Sequence, residues 1–132
     1  MKNIIVAESA GFCFGVSRSV EMAEKLLSSE GKCCSLGELI HNEDVVGRLV
    51  EKGLEVIDRP EKCMAADKVI IRAHGVTRQV YEELTKRGAE ITDATCPKVK
   101  AIHKIVSNAQ SEGRFVVVIG MKKHPEVDAI CG

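Results

Sequence analysis

Two of the six cysteines stand where a thiol could coordinate a metal or act as a nucleophile. Cys13 is flanked by Gly11 and Gly15, which allow the backbone to approach a bulky partner closely. Cys96 precedes Pro97 at a predicted strand-to-helix turn, where a helix N-terminus favours the thiolate form. Since thiolate is the form that binds metals and attacks substrates, these positions predict metal binding or thiol chemistry.

Three histidines stand in predicted loops, and their side chains suit an anionic ligand. His41, His74 and His124 can donate hydrogen bonds to phosphate oxygens, and predicted helix N-termini nearby would add backbone donors. Glu126 follows His124 by two positions and is a candidate proton donor, because a carboxyl group in a closed apolar site can stay protonated. A solvated loop carboxylate is the alternative interpretation of Glu126.

The remaining reactive side chains have simpler interpretations. His103 lies in the middle of a predicted helix and is interpreted as structural. Four cysteines are assigned to the core or the surface: Cys33, Cys34, Cys63 and Cys131. Lysines and arginines are spread along predicted helices and are interpreted as solvated faces. Two cysteines cannot fill a four-ligand metal site, so a histidine or another part of the protein must complete it.

The elements that must position these residues follow an alternating pattern. Short apolar and β-branched runs alternate with amphipathic segments, which is typical of an α/β protein with a parallel sheet and flanking helices. Strands are predicted over residues 4–7, 33–36, 54–57, 68–71, 90–93 and 115–119. Helices are predicted between them, with Asn42 and Thr77 as N-caps of two. The uninterrupted apolar run at 115–119 predicts a strand buried on both faces.

In open parallel sheets, ligands bind beyond the carboxyl ends of the strands. Three of the four histidines and two of the six cysteines follow predicted strands. We therefore expect their side chains to converge on one edge of the sheet. The residues alone predict a metal or cluster site that handles a phosphorylated small molecule.

Composition narrows the class of protein further. The chain has 132 residues, 19 basic and 19 acidic side chains and 3% aromatic residues, which argues against a nucleic-acid partner. The N-terminus lacks a signal-peptide pattern, and no run approaches the roughly 18 apolar residues of a membrane span. These observations predict a cytoplasmic domain with reduced thiols and no membrane partner. Because only a short segment follows the strand predicted at 115–119, we expect the front part of a larger protein.

Five motifs occur in an order and spacing that resemble the N-terminal part of the LytB/IspH family, the 4-hydroxy-3-methylbut-2-enyl diphosphate reductases. They are GFCFGV at 11–16, LGELIHN at 36–42, RAHGV at 72–76, DATCP at 93–97 and HPEV at 124–127. The resemblance spans essentially the whole chain. Five motifs in register are specific, whereas any one of them would be weak.

The resemblance implies an oxygen-sensitive iron–sulfur oxidoreductase of the non-mevalonate isoprenoid pathway. Such an enzyme removes the allylic hydroxyl of its diphosphate substrate reductively, giving isopentenyl and dimethylallyl diphosphates. The family's [4Fe–4S] cluster is held by three cysteines, of which Cys13 and Cys96 match the first two. The third cysteine lies in the part of the family that this chain lacks. Electrons would arrive from a ferredoxin- or flavodoxin-type donor.

The same match implies roles for the other site residues and a larger fold. His41, His74 and His124 would contact the diphosphate or the hydroxyl, and Glu126 would match the proton donor. The family fold consists of three similar α/β units around a central cleft. Three segments follow from it: 1–13 as an N-terminal strand and first cluster loop, 14–96 as the first unit, and 97–132 as the start of the second. We expect this piece alone to be inactive or nearly so, and self-association through its last strand is possible.

The residues are also consistent with three alternative functions, each from a different class of protein. One is a non-catalytic, flavodoxin-like module that holds a phosphate ligand on its loops without a metal. Another is a thiol enzyme with Cys96 as nucleophile and a nearby histidine as base. A zinc site made of Cys13, Cys96 and a histidine is the third. Metal content and the effect of replacing each cysteine distinguish these alternatives.

Overall fold

Four short parallel strands form the central sheet. The structure, a computed structural model, describes residues 3–132. The strands are β1 (Cys33–Leu36), β2 (Leu54–Ile57), β3 (Lys68–Ile71) and β4 (Glu90–Asp93), in the spatial order β2-β1-β3-β4. All three neighbouring pairs are parallel. These strands and the parallel α/β class are confirmed as predicted.

Helices connect and flank the strands. They are α1 (Phe14–Leu27), α2 (Glu43–Glu51), α3 (Arg78–Lys86), α4 (Pro97–Ser111) and α5 (Pro125–Cys131), with a 3-10 turn at Pro60–Lys62. The predicted N-caps are confirmed: Val45 N donates to Asn42 Oδ1 at 3.0 Å and Val80 N donates to Thr77 Oγ1 at 3.3 Å. Within residues 3–132, no helix has the length and apolar character needed to cross a membrane.

The sheet is covered on both faces because alternate strand residues point to opposite sides. On one face, Cys33 and Ile70 pack with Leu49 of α2 and with the apolar side of α1. On the other face, Val69 packs with Leu84 of α3. Full burial of one such leucine side chain contributes about 1.5–3 kcal/mol. The two cores hold the strand ends, and hence the loops beyond them, in fixed positions.

Two predicted strands are wrong. The residues at 4–7 and 115–119 adopt no strand, and their apolar side chains are exposed: Ile4 by 90%, Phe115 by 93% and Ile119 by 95%. A strand satisfies its backbone groups only through a neighbour, and no strand among the described residues pairs with either segment. An apolar run sets a preference for extended backbone, but pairing decides whether a strand forms.

The segment after Gly120 also differs from the sequence prediction, which left it without a helix. Helix α5 starts there, with Pro125 in its first turn and Ala129 buried. Proline at the first helical position costs nothing, because its missing N–H would have no partner inside the helix. Pro125 therefore begins a helix, and His124 becomes that helix's N-cap.

Candidate functional site

A crevice opens at the carboxyl edge of the sheet between β1 and β3. The chain leaves β1 toward α2 and β2 on one side, and leaves β3 toward α3 and β4 on the other. Loops that diverge in this way mark the ligand site of open parallel sheets. His41 lies in the first loop and His74 in the second.

Backbone hydrogen bonds beyond the strand ends hold these loops in register. Ala73 N donates to Leu39 O at 3.2 Å, and Cys96 N donates to Ala73 O at 2.9 Å. The bonds extend the pairing of the sheet past its last strand residues. The positions of His41, His74 and Cys96 are therefore set by the sheet itself.

Three imidazole rings from three separate segments meet in the crevice. The ring centroids of His41 and His74 lie 4.5 Å apart, and that of His124 lies 5.9 Å from each of them. His41 is exposed, whereas His74 and His124 are half-buried. The convergence expected from the sequence is present for all three. Such a cluster offers several donors to one anionic ligand.

The position of His124 at the start of α5 determines which ring nitrogen accepts a hydrogen bond from the backbone. Glu126 N donates to His124 Nδ1 at 3.3 Å. A neutral imidazole that accepts at Nδ1 carries its proton on Nε2. His124 therefore presents Nε2–H as a donor, while the carboxyl group of Glu126 stands in the first turn of the same helix, half-buried.

The surroundings of His74 favour its neutral form. Burial lowers the pKa of His74, the nearby His41 and Arg72 lower it further, and the carboxylate of Glu126 acts in the opposite direction. The Nδ1 atom of His74 is buried and has no hydrogen-bond partner among the described residues. A buried polar atom without a partner costs about 1–3 kcal/mol. A ligand that bonds to this nitrogen would remove that cost.

Arg72 is a site residue that the sequence analysis missed, because it placed the arginines on solvated faces. Its Nε donates to Gly75 O at 3.3 Å, and its Nη1 lies 2.8 Å from where a Cβ would stand on Gly37. Burial lowers the pKa of Arg72, and Asp128 opposes that shift. A half-buried cation thus lies beside the imidazoles. Its position directly after β3 was the signal that could have found it.

The two candidate thiols occupy equivalent positions at the starts of two helices. Cys13 is the N-cap residue of α1 and Cys96 is that of α4, and neither side chain makes a capping hydrogen bond. Cys13 is exposed and Cys96 is half-buried. Both thiols therefore remain available to a ligand beside the backbone N–H groups of a helix N-terminus, which favour negative charge.

A close contact ties the start of α1 to Cys96. A Cβ on Gly15 would lie 2.5 Å from Cys96 Sγ and 3.1 Å from Cys96 Cβ, so only glycine fits there. Arg18 Nη1 reaches Thr95 O at 3.4 Å and adds a second link. The glycine that the sequence analysis associated with close approach does make one, and its partner is the other candidate thiol.

The donor set fits part of a metal cluster. Cysteine side chains are the ligand type that iron–sulfur clusters require, and here they stand at two helix N-termini. Of the other four cysteines, three are buried in the core and Cys131 lies exposed at the end of α5. The described residues therefore offer two thiols at this site. A cavity of about 180 Å³ lies beside them, between Phe12 and the His41–His74 pair.

His103 lies behind the site. It belongs to α4 and its Cε1 is 3.1 Å from where a Cβ would stand on Gly75, whose φ is +79°. Its Nε2 is buried without a hydrogen-bond partner among the described residues. The ring supports the loop that carries His74 and lines a separate cavity of about 580 Å³ between α3 and α4.

Comparison with known proteins gives a consistent result. The family model described as LytB protein matches residues 4–132. The chain is 47% identical over its whole length to 4-hydroxy-3-methylbut-2-enyl diphosphate reductase of Aquifex aeolicus, and 44% identical over 98% of its length to that of Caldanaerobacter subterraneus subsp. tengcongensis. It spans 46% of each of these relatives.

Solved structures agree with the sequence relatives. A structure of (E)-4-hydroxy-3-methyl-but-2-enyl diphosphate reductase, described as the terminal enzyme of the non-mevalonate pathway, superposes with a TM-score of 0.85 at 47% identity, over 99% of this chain and 47% of that one. The E-1-hydroxy-2-methyl-but-2-enyl-4-diphosphate reductase from Plasmodium falciparum gives a TM-score of 0.89 at 31% identity, over 93% and 39%. The match of the family model to nearly every residue, together with these superpositions, establishes that the chain belongs to the LytB protein family.

Proposed function

We propose that this chain is the N-terminal part of a 4-hydroxy-3-methylbut-2-enyl diphosphate reductase of isoprenoid biosynthesis, with its site in the crevice between β1 and β3. The observation that carries the proposal is the cluster of three imidazoles beside two thiol-bearing helix starts. The names of the sequence relatives and of the solved structures support the same reaction class. The chain spans about half of those proteins, so the activity is assigned to the whole protein and not to this piece.

Cys13 and Cys96 are proposed as two of the ligands of a [4Fe–4S] cluster. Their free thiols at helix N-termini and the close approach permitted by Gly15 support this assignment. A bound cluster would supply electrons and a Lewis-acidic iron to the allylic hydroxyl. The third ligand belongs to the part of the protein beyond the described residues, and a ferredoxin- or flavodoxin-type protein is the proposed electron donor.

The polar groups of the crevice are proposed to bind the substrate. His124 donates through Nε2–H, and neutral His74 offers the buried Nδ1 that has no protein partner among the described residues. His41 supplies a third imidazole and Arg72 a half-buried cation that attracts a diphosphate. Glu126 is proposed to hold the proton delivered to the substrate, since its carboxyl group is half-buried and near His74.

The division of the chain follows from the same proposal. Residues 1–13 bring the first cluster cysteine, residues 14–96 form the first α/β unit, and residues 97–132 begin the next. The start of α4 at Pro97 supports the second boundary. Catalytic turnover by the isolated 132-residue chain above a no-enzyme control would contradict the assignment of activity to the whole protein.

Anaerobic reconstitution with iron and sulfide tests the cluster ligands. The wild-type chain is compared with Cys13→Ser, Cys96→Ser and the matched control Cys131→Ser, an exposed cysteine at the end of α5. An added thiol supplies the third thiolate, which this chain lacks. We then expect bound iron and sulfide, and visible cluster absorption, in the wild type and the control, and loss of both in the other two variants. Equal, stoichiometric iron in all four proteins would refute the ligand assignment, and a single alkylation-sensitive Cys96 without iron would favour a thiol enzyme.

Calorimetric titration with the allylic diphosphate tests the substrate site independently of the cluster. We expect His74→Gln and Arg72→Gln to weaken binding at least tenfold, because His74 lines the crevice and the charge of Arg72 acts on His74. Lys104→Gln, an exposed position on α4, is the matched control and should bind like the wild type. Unchanged affinity in the two crevice variants would rule out this binding site.

A further inference from the structure

A second group of potential metal ligands lies away from the histidine crevice, toward the amino ends of β1 and β3. Cys34 is in β1, Cys63 follows the 3-10 turn, and Asp67 immediately precedes β3. One ligand atom from each lies within 4.8 Å of the others, and all three residues are buried. From the sequence, both cysteines are expected in the core or at the surface. The fold brings them together with a carboxylate.

We propose that Cys34, Cys63 and Asp67 form a binding site for a thiophilic divalent cation such as Zn²⁺. Zinc binds cysteine sulfur at about 2.3 Å and carboxylate oxygen at about 2.0–2.2 Å, and tetrahedral angles then separate the ligand atoms by roughly 3.3–3.8 Å. The ligand atoms lie within 4.8 Å of one another, so a contraction of at most about 1.5 Å brings them to those separations. The carbonyl oxygen of Met64, which lies 3.5 Å from Cys63 Sγ and accepts from Asp67 N, is one candidate for the fourth ligand, and a water molecule is another.

The surroundings of the three residues support a charged complex. Met64 N donates to Asp67 Oδ2 at 2.8 Å, which orients the carboxylate as groups around metal ligands commonly do. Two thiolates, one carboxylate and a divalent cation leave one net negative charge. Lys32 Nζ pairs with Glu55 Oε2 at 2.9 Å and also lies 3.9 Å from Asp67 Oδ2, so it offsets part of that charge. Binding displaces one proton from each thiol, and both protons pass to solvent.

Such an ion would have a structural role. It would join β1, the segment after the 3-10 turn and the start of β3, three parts of the chain that are separate in the sequence. It is separate from the proposed cluster ligands Cys13 and Cys96. Metal binding by these three residues therefore does not depend on the proposed function.

The test uses the full chain with Cys13, Cys96 and Cys131 all changed to serine, so that only the three core cysteines can supply thiolate. Co²⁺ is added to one sample and Zn²⁺ to another, both under reducing, anaerobic conditions. Absorption is recorded for the Co²⁺ sample, and bound Zn²⁺ per chain is measured in the other after desalting. We expect thiolate-to-cobalt charge-transfer absorption, tetrahedral visible bands, one Zn²⁺ per chain and a higher thermal midpoint with metal.

Further substitutions in the same background locate the site. Cys63→Ser and Asp67→Asn should weaken Co²⁺ binding at least tenfold. Cys33→Ser is the matched control, because Cys33 is equally buried but packs on the opposite face of the sheet; it should retain the absorption. Far-UV circular dichroism verifies that each variant is folded. Absence of stoichiometric metal in the background protein would overturn the proposal, as would equal binding by Cys33→Ser and Cys63→Ser.

Discussion

Replacing Gly15 with alanine tests how closely the starts of α1 and α4 must approach. The added Cβ would lie 2.5 Å from Cys96 Sγ and 3.1 Å from Cys96 Cβ. Ordinary contacts between such atoms are about 3.5–4.0 Å. The two helix starts must therefore separate by about 1 Å, because the obstructing atoms belong to a short side chain at a helix N-cap and not to a flexible one.

Two opposing contributions set the magnitude for Gly15→Ala. Overpacking a buried contact costs about 1–3 kcal/mol. Alanine in place of a helical glycine stabilises by about 0.5–1 kcal/mol. We expect a net loss of about 1 kcal/mol in the free energy of unfolding. Gly47→Ala is the matched control: Gly47 lies exposed in α2 and its added Cβ meets nothing within 4 Å, so this variant should gain about 0.5–1 kcal/mol.

Urea unfolding followed by circular dichroism measures both glycine variants. A second measurement follows the reaction of Cys96 with a thiol reagent, in a chain whose exposed Cys13 and Cys131 are changed to serine. Because separation of the helix starts uncovers the sulfur, Cys96 should react faster in Gly15→Ala than with glycine retained. The reasoning is refuted if both alanine variants shift the free energy of unfolding equally and the reaction rate of Cys96 is unchanged.

Three further predictions address the capping, titration and exposed surface of the chain. Asn42→Ala removes the acceptor for Val45 N and should lower the free energy of unfolding, measured in urea, by about 1 kcal/mol. Asn108→Ala, on the exposed surface of α4, is the control. An equal effect of the two substitutions would contradict the capping role of Asn42. Burial lowers the pKa of His74 in the folded chain, so below about pH 6.5 the unfolded chain binds a proton at this imidazole more readily than the folded chain does. The free energy of unfolding should therefore decrease as the pH falls from about 6.5 toward the lower pKa of the folded state. Unfolding measured at several pH values should show a weaker acid loss in His74→Gln, and an identical pH dependence would count against it. The exposed apolar residues at 115–119 should give a mass that rises with concentration in light scattering and falls back in Ile119→Lys; a wild-type monomer at all concentrations would disprove this self-association.

The strands that pair within the described chain were predictable from the sequence. β1, β2 and β3 are rich in apolar residues, and β4 carries β-branched Ile91 and Thr92. The caps Asn42 and Thr77 marked two helix starts correctly. The segments at 4–7 and 115–119 carry the same local signal and form no strand. Local composition could not distinguish these two segments from the four observed strands, because strand formation depends on a neighbouring strand and not on the residues of the strand alone.

The candidate site was predictable in its members but not in its geometry. Ligands bind beyond the carboxyl ends of parallel strands, and this rule selected His41, His74 and Cys96. The rule predicts no distances between their side chains. It gave no reason to expect Arg72 to be half-buried, since its guanidinium packs against Gly37, which lies in a different loop. The same limit applies to Cys34 and Cys63, which are separate in the sequence and adjacent only after the sheet has formed.

By itself, the sequence determined the residue types available for chemistry, the parallel α/β class and the order in which loops follow strands. Those properties depend on local side-chain chemistry and on periodicity along the chain. Only the tertiary structure decided that three imidazole rings lie within 6 Å of one another, that Gly15 contacts Cys96, and that the Nδ1 atom of His74 is buried without a partner among the described residues. Distances, burial and the shifted pKa of His74 arise from contacts between segments far apart in sequence, which no local pattern records.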